Sequence, residues 1–386
     1  MANENGGKPM PAPGGNSRNP SLAEILHSNP WVPLEEHLDQ LRERVDASIV
    51  RAQERRSAYR EELLRDRPEL VALIRRPSAA ALAIAERLLG TGTVAAADGT
   101  ISPVPLLGGS KIQVGVVIVF NSGQVVDLVT RVFEAELTSA DGTAAEFFAQ
   151  LRRARSISNL LARAIMLFGE RRLLLEQQAD WRMIHGELIP HELRTGAGRP
   201  RENLTAAFDL VNRYIATERF IAVSEGAEDL DILNAAILLE PGEYIVIRHL
   251  SDTLLTFLDG GEEGQQRANF NNHDRDRFRE FIGLAGPQVA VVLVKAGQKP
   301  FLLECHSNRV EESVALFLAD SLWTRGLPSD GSSVSHRGFP FHIDLADQVA
   351  RTLFKGADFQ RFVEARLYEL GTESGMFEID PRRTRS

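Results

Sequence analysis

The sequence predicts a mixed α/β fold. Three observations carry this: a β-branched hairpin near residues 111–133, a long helical rhythm after it, and short apolar strands further on. With 386 residues, 43% of them hydrophobic, the chain can bury one large core with appendages, or two cores.

Residues 1–20 are rich in Gly, Pro, Asn and Ser and read as a disordered tail. A helical extension is expected over residues 21–90, where Leu38, Leu41, Val45 and Ile49 keep a helical spacing among dense Arg and Glu. A solvated antiparallel helix pair and a docking arm for a partner are its two readings. From Val94 the pattern turns to strands. A short apolar strand is expected to deliver Asp98 into a Gly-Thr turn. Lys111–Phe120 and Gln124–Phe133 flank Asn121-Ser122-Gly123, a hairpin signal. Ala144 to Gln178 reads as helix, Trp181–Ile189 as a strand, and Arg199 to Thr217 as helix. Phe220–Ser224 and Tyr244–Ile247 are further strands, and the polar run Gly260–Asp276 is expected to be a loop. Val289–Val294 and Phe301–Cys305 form a second hairpin. Phe341 to Leu370 gives two helices, and residues 371–386 a tail.

The formal charge of −9 argues against a globally basic nucleic-acid wrapper, although a local basic groove is compatible with it. The lone Cys305 cannot form an internal disulfide, and no Cys/His zinc pattern occurs. The N-terminal stretch has no apolar signal region, and no apolar run approaches 18 residues. A cytoplasmic protein without a membrane span is expected.

Four residues stand out chemically. Asp98 is an acid at the mouth of a buried strand, a costly placement unless something pairs with it, and a metal ion is one such partner. Glu170 has Met166, Leu167, Leu173 and Leu174 as its helical neighbours, so it does not face ordinary solvent. The rival reading for Glu170 is a buried salt bridge to an arginine. His185 sits on the next strand and reads equally as a core histidine. Asp347, with Asp344, opens a late helix after a Pro turn, where acids also serve as caps.

The order of these motifs resembles the NurA nuclease family, from about Val94 to Leu370. The matching blocks are Ala97-Asp98-Gly99-Thr100 with GVVIVF, the helical Glu170, Ile184-His185-Gly186-Glu187-Leu188, LSDTLLTFLDGGEEG, KPFLLECHS with Glu304, and GFPFHIDLADQVA with Asp347. The resemblance implies an RNase H-like mixed sheet flanked by helices over residues 91–370 and a ring-shaped homodimer. It also implies Mn²⁺-dependent cleavage of DNA, as a 5′-to-3′ exonuclease and single-strand endonuclease. The implied partner is a HerA-type hexameric ATPase acting in DNA end processing. Asp98, Glu170, His185 and Asp347 become the implied catalytic and metal-binding set, for Mn²⁺ or alternatively Mg²⁺.

One departure matters. The family's second aspartate falls on His185, while a late position that is histidine in many members is Asp347 here. If both face one metal, the pair is a reciprocal exchange; if not, the protein is a weakened or inactive homologue. The inactive reading leaves a scaffold that binds the ATPase, including in an antiphage defence setting. For DNA, Arg152, Arg153 and Arg155 form one candidate basic cluster, and Arg194, Arg199 and Arg201 another. Phe339 and Phe341 are candidate stacking platforms, with core packing as the alternative.

Overall fold

The computed structural model describes residues 21–28, 34–106, 109–133, 144–198, 200–225, 230–259, 270–297, 299–323, 338–354 and 358–370. Both expected tails, residues 1–20 and 371–386, lie outside the described residues. The chain divides into two compact units, Met1–Glu62 and Leu63–Ser386. The first holds helix α1 (Leu22–Ser28) and most of α2 (Leu34–Asp66).

The second unit continues with α3 (Pro68–Val71), α4 (Ala79–Thr91), β1 (Val94–Leu106), β2 (Gly109–Phe120), β3 (Val125–Phe133) and α5 (Ala144–Leu175). Then come β4 (Trp181–His185), α6 (His191–Arg194), α7 (Pro200–Thr217), β5 (Phe220–Ser224), α8 (Leu230–Leu238), β6 (Glu243–His249) and α9 (Leu250–Asp259). The unit closes with α10 (Asn272–Ala285), β7 (Val289–Lys295), β8 (Pro300–His306), α11 (Val310–Trp323), α12 (Phe341–Phe354) and α13 (Asp358–Glu369). Among the described residues, no helix is long and apolar enough to cross a membrane.

One eight-stranded sheet organises this unit, in the order β3-β2-β1-β4-β5-β8-β7-β6. The first three strands form an antiparallel meander, and β4 and β5 then add parallel to β1. That 3-2-1-4-5 run is the RNase H-like arrangement, extended here by three antiparallel strands. The meander follows from local chemistry. Gly123 takes φ 86° in the β2–β3 turn, and Asn121 ties the turn to the start of β1 by accepting from the Val94 amide at 3.0 Å.

Alternation sends Ala95 and Ala97 to one face, where they pack under α5, α7, α9 and α10, and Val94 and Ala96 to the other, under α4, α11 and α12. Ala85 and Leu89 of α4 therefore enter the sheet core rather than seam a helix pair. Both faces are covered, as parallel strands require.

Two expectations are corrected. Asp98 is not in a turn: β1 runs on through it to Leu106, paired throughout with β2. Its other neighbour, β4, pairs only with Val94–Ala97, so Pro103 and Pro105 occupy a stretch bonded on one side, where missing amide donors are tolerated. Secondly, Asn272 to Asp276 opens a helix rather than extending a loop. Asn271 and Asp274 cap each other's backbone in a capping box that starts α10. Residues 260–269 of that stretch lie outside the described residues.

Helix α12 is seated by a glycine. A Cβ on Gly115 of β2 would stand 2.0 Å from the Phe354 ring, so only glycine lets that ring rest on the strand. Gly115→Ala is expected to lower stability by about 1–3 kcal/mol through overpacking, measured by denaturant unfolding. Unchanged stability would show that α12 is not held by this contact.

Candidate metal centre

Asp98 lies at the point where β4 stops, and it faces the α12 side of the sheet. Its Oδ1 accepts from the Gly99 amide at 2.8 Å, and its Oδ2 lies 3.2 Å from Nδ1 of His185, the last residue of β4. Asp347, in the second turn of α12, hydrogen-bonds Asp98 from the same side and holds Arg351 at 2.7 Å. Glu170 arrives from α5 on the opposite face. It can do so because residue 99 is glycine: a Cβ there would stand 2.6 Å from Glu170 Oε1 and 2.7 Å from Met166 Cγ. The Asp-Gly pair thus sends one carboxylate to one side and opens the other side to a second carboxylate.

The structure brings three of the four sequence-derived residues into contact: Asp98 meets His185 and Asp347, while Glu170 reaches β1 from the opposite face and pairs with Arg171. Side-chain exposure falls from 34% at His185 through 19% at Asp347 and 8% at Asp98 to 1% at Glu170. Burial, countered by Arg171 and reinforced by Asp98, pushes the Glu170 carboxyl up to about 8. Burial and the Asp98 charge also raise Asp347, against the pull of Arg351. Burial opposes the charged form of His185, but its hydrogen bond to Asp98 and the surrounding acids prevail and raise its pKa.

Sequence reasoning missed the residue that holds this arrangement. Arg171 is wholly buried, and its five N–H groups meet five acceptors. Nε donates to the Leu188 carbonyl at 3.0 Å; Nη1 donates to the Leu167 carbonyl at 2.8 Å and to Glu170 Oε2 at 3.2 Å. Nη2 reaches the carbonyls of His185 and Glu187. Gly186, with φ 83°, lets the chain fold around the guanidinium. The salt-bridge reading of Glu170 was thus correct for one of its oxygens. The other, Oε1, is buried without a hydrogen-bond partner. The adjacency Glu170-Arg171 was visible in the sequence, but Arg172 beside it gave no hint of which arginine turns inward.

Glu304 occupies a separate place. It accepts from the Leu188 amide at 2.6 Å, and burial with the nearby Glu187 charge pushes it up to about 7, against Arg194. Arg194 is itself internal, pairing with Glu187 at 2.5 Å and donating to the Ile189 carbonyl, so it is not a phosphate-facing residue. Arg152, Arg153 and Arg155 fall on α5 and Arg201 on α7, but their side chains lie outside the described residues, as does all of Arg199. Phe339 is half-buried, edge-on to His185 at 5.6 Å and packed against Phe301.

Carboxylates with one imidazole form a hard, anionic donor set suited to Mn²⁺. The unpartnered buried Oε1 of Glu170 is the observation that such a cation fits. Among the described residues no three donors already stand in a cation-holding arrangement; each acid turns to a basic neighbour instead. The fit is one of donor chemistry.

No protein-family model and no curated protein matches this chain. Solved structures do resemble it at low identity. The NurA nuclease from Sulfolobus solfataricus is 12% identical, over 87% of this chain and 98% of that one, with a TM-score of 0.47. A NurA structure bound to dAMP and manganese is 11% identical over 85% and 96%, at 0.43. An endonuclease V from Bacillus subtilis is 11% identical over 72% and 92%, at 0.31.

Because the folded pKa of Glu170 lies above its ordinary 4.5, the fold favours the neutral carboxyl. Its contribution to stability is complete below about pH 4.5 and is lost as pH rises toward 8. Glu170→Gln is therefore expected to gain on the metal-free wild type by at least about 1 kcal/mol between pH 5 and pH 8, read from unfolding at each pH. Parallel curves for the two proteins would refute this charge state.

Proposed function

We propose that the protein is a metal-dependent deoxyribonuclease in which Asp98, Glu170, His185 and Asp347 hold the divalent cation, Mn²⁺ in preference to Mg²⁺. The observation that carries this reading is the contact of Asp98 with both His185 and Asp347 where β1 and β4 part, with Glu170 across β1 keeping one buried carboxylate oxygen unpartnered. The RNase H-like strand order and the motif order seen in the sequence support it.

A cation bound there would supply a water of lowered pKa and charge stabilisation for the scissile phosphate. The chain's own residues account for the rest. Asp98 is fixed by the Gly99 amide, Glu170 by Arg171, and Asp347 by its place on α12, so the acids are oriented before substrate arrives. His185 is the most exposed of the four and the one best placed to exchange a proton with solvent. Phosphodiester hydrolysis by this route needs no serine or cysteine nucleophile. Cys305 is buried in the core, and burial pushes its thiol up to about 12.

In its finer form, the reading is a 5′-to-3′ exonuclease and single-strand endonuclease, acting as a homodimer with a HerA-type hexameric ATPase on DNA ends. The order of sequence motifs supports this finer form. A second reading, a non-cutting scaffold for the ATPase, is favoured by the ion pairs that now engage each acid.

Cleavage of end-labelled single- and double-stranded DNA in Mn²⁺ or Mg²⁺ separates the two. Wild type is expected to cut in Mn²⁺, and Asp98→Ala to lose at least about 100-fold in rate, more than 2.7 kcal/mol of transition-state stabilisation. Equal, negligible cutting by both proteins in both metals would overturn the nuclease reading and favour the scaffold.

A further inference from the structure

We infer that β3 joins two copies of this chain, its free edge pairing antiparallel with itself about Val129. Neither metal nor substrate enters the pairing.

Two of the sheet's open edges are blocked. β6, at one end, is broken by a register shift between Val246 and Arg248. On its outer side Tyr244 already pairs with Arg75, each amide donating to the other's carbonyl at 2.9 Å. The part of β1 beyond β4 carries Pro103 and Pro105. β3, at the other end, has neither device: its nine residues include no proline, glycine or lysine, and they follow β2 without a register shift. Among the described residues no strand lies beyond it. The Phe120 amide donates to the Gln124 carbonyl at 2.8 Å, so the ladder turns the backbone groups of even-numbered β3 residues toward β2. Those of Val125, Asp127, Val129, Arg131 and Phe133 therefore line the free edge. Val126 and Leu128 pack against the core, whereas Val125 and Val129 are 44% and 51% exposed, with Asp127 exposed between them. Valines left in solvent along an unpaired edge form a surface that another strand can cover.

The order of residues says which strand. Read outward from Val129, the segment Val125–Phe133 is its own complement. Antiparallel pairing centred there sets Asp127 opposite Arg131 of the second copy, and Arg131 opposite the second copy's Asp127. Val129 meets its own counterpart, Val125 meets Phe133, and Val126 meets Val132. Opposite charges facing across a strand pair are favourable, and like charges there are not. A parallel pairing in register would set aspartate against aspartate and arginine against arginine. Centring the antiparallel pair on Asp127 or on Arg131 would bring two like charges together at the axis. The charges therefore select both the direction and the register.

The test is the association state of the full chain by sedimentation equilibrium, with hydrogen exchange to locate the contact. Wild type is expected to dimerise, and the amides of residues 125–133 to gain protection as chain concentration rises. Arg131→Asp and Asp127→Arg each set like charges opposite one another at two places. Each is expected to raise the dimer dissociation constant at least about 10-fold. Mixing the two variants restores both opposite-charge pairs, and so does carrying both substitutions in one chain. Wild-type affinity is expected to return in each case, a rescue that misfolded variants could not give. A wild type that stays monomeric, its edge left to some other strand, would overturn the inference. A dimer that neither single variant weakens would place the interface elsewhere and overturn it too. Weakened single variants that neither mixing nor the double substitution rescues would rule out this register, and the inference with it.

Discussion

The guanidinium of Arg171 is the interaction on which the rest of the site depends. It lies inside the protein, between α5 and the turn that leaves β4, and joins two elements that the sheet alone would not register. Through it the Glu170 carboxylate and the backbone of residues 185–188 become one rigid body. Tyr214 of α7 adds a third element by donating to the Arg171 carbonyl at 2.7 Å. A buried ion pair contributes little net stability, because desolvation offsets the attraction. Its contribution here is orientation: a carboxylate pinned by one oxygen presents the other in a fixed direction.

Close approach is the companion constraint. Helices pack on a sheet about one side-chain layer away, too far for a helical glutamate to meet a strand aspartate across an ordinary residue. Gly99 removes the intervening layer on the α5 side, and Gly115 removes it on the α12 side. Acids from both faces can then gather at one end of β4. The buried pair of His342 with Asp320, at 2.6 Å, fixes the first turn of α12 against α11, and so sets where Asp347 falls. A shift at any of these contacts would move one of the four residues.

How much of this was legible depended on whether a local pattern carried it. The meander was, because its β-branched runs flank a turn with a glycine, and Glu170 was, because four apolar helical neighbours left it nowhere to go but inward. The helix Val310–Trp323 gave no such pattern: residues 314–319 are buried one after another, so no polar stripe marks a helical face. The start of α10 hid in a polar run, its capping box spaced like any loop. Which arginine turns inward is decided only by the carbonyls of a turn several residues away in another element. The extension of β1 past Asp98 was obscured by two prolines, harmless there only because β4 has already ended.

The placement of His185 and Asp347 gains a physical meaning from this geometry. Both approach Asp98 from the α12 side of the sheet, one from the last residue of β4 and the other from the helix above it. A centre registers the atoms that surround it, not the chain segments that deliver them. If an imidazole and a carboxylate flank the same aspartate, exchanging the segments that carry them leaves the donor inventory and the net charge unchanged. The imidazole stands on the strand beside Phe339, and the carboxylate on a helix next to the exposed Arg351.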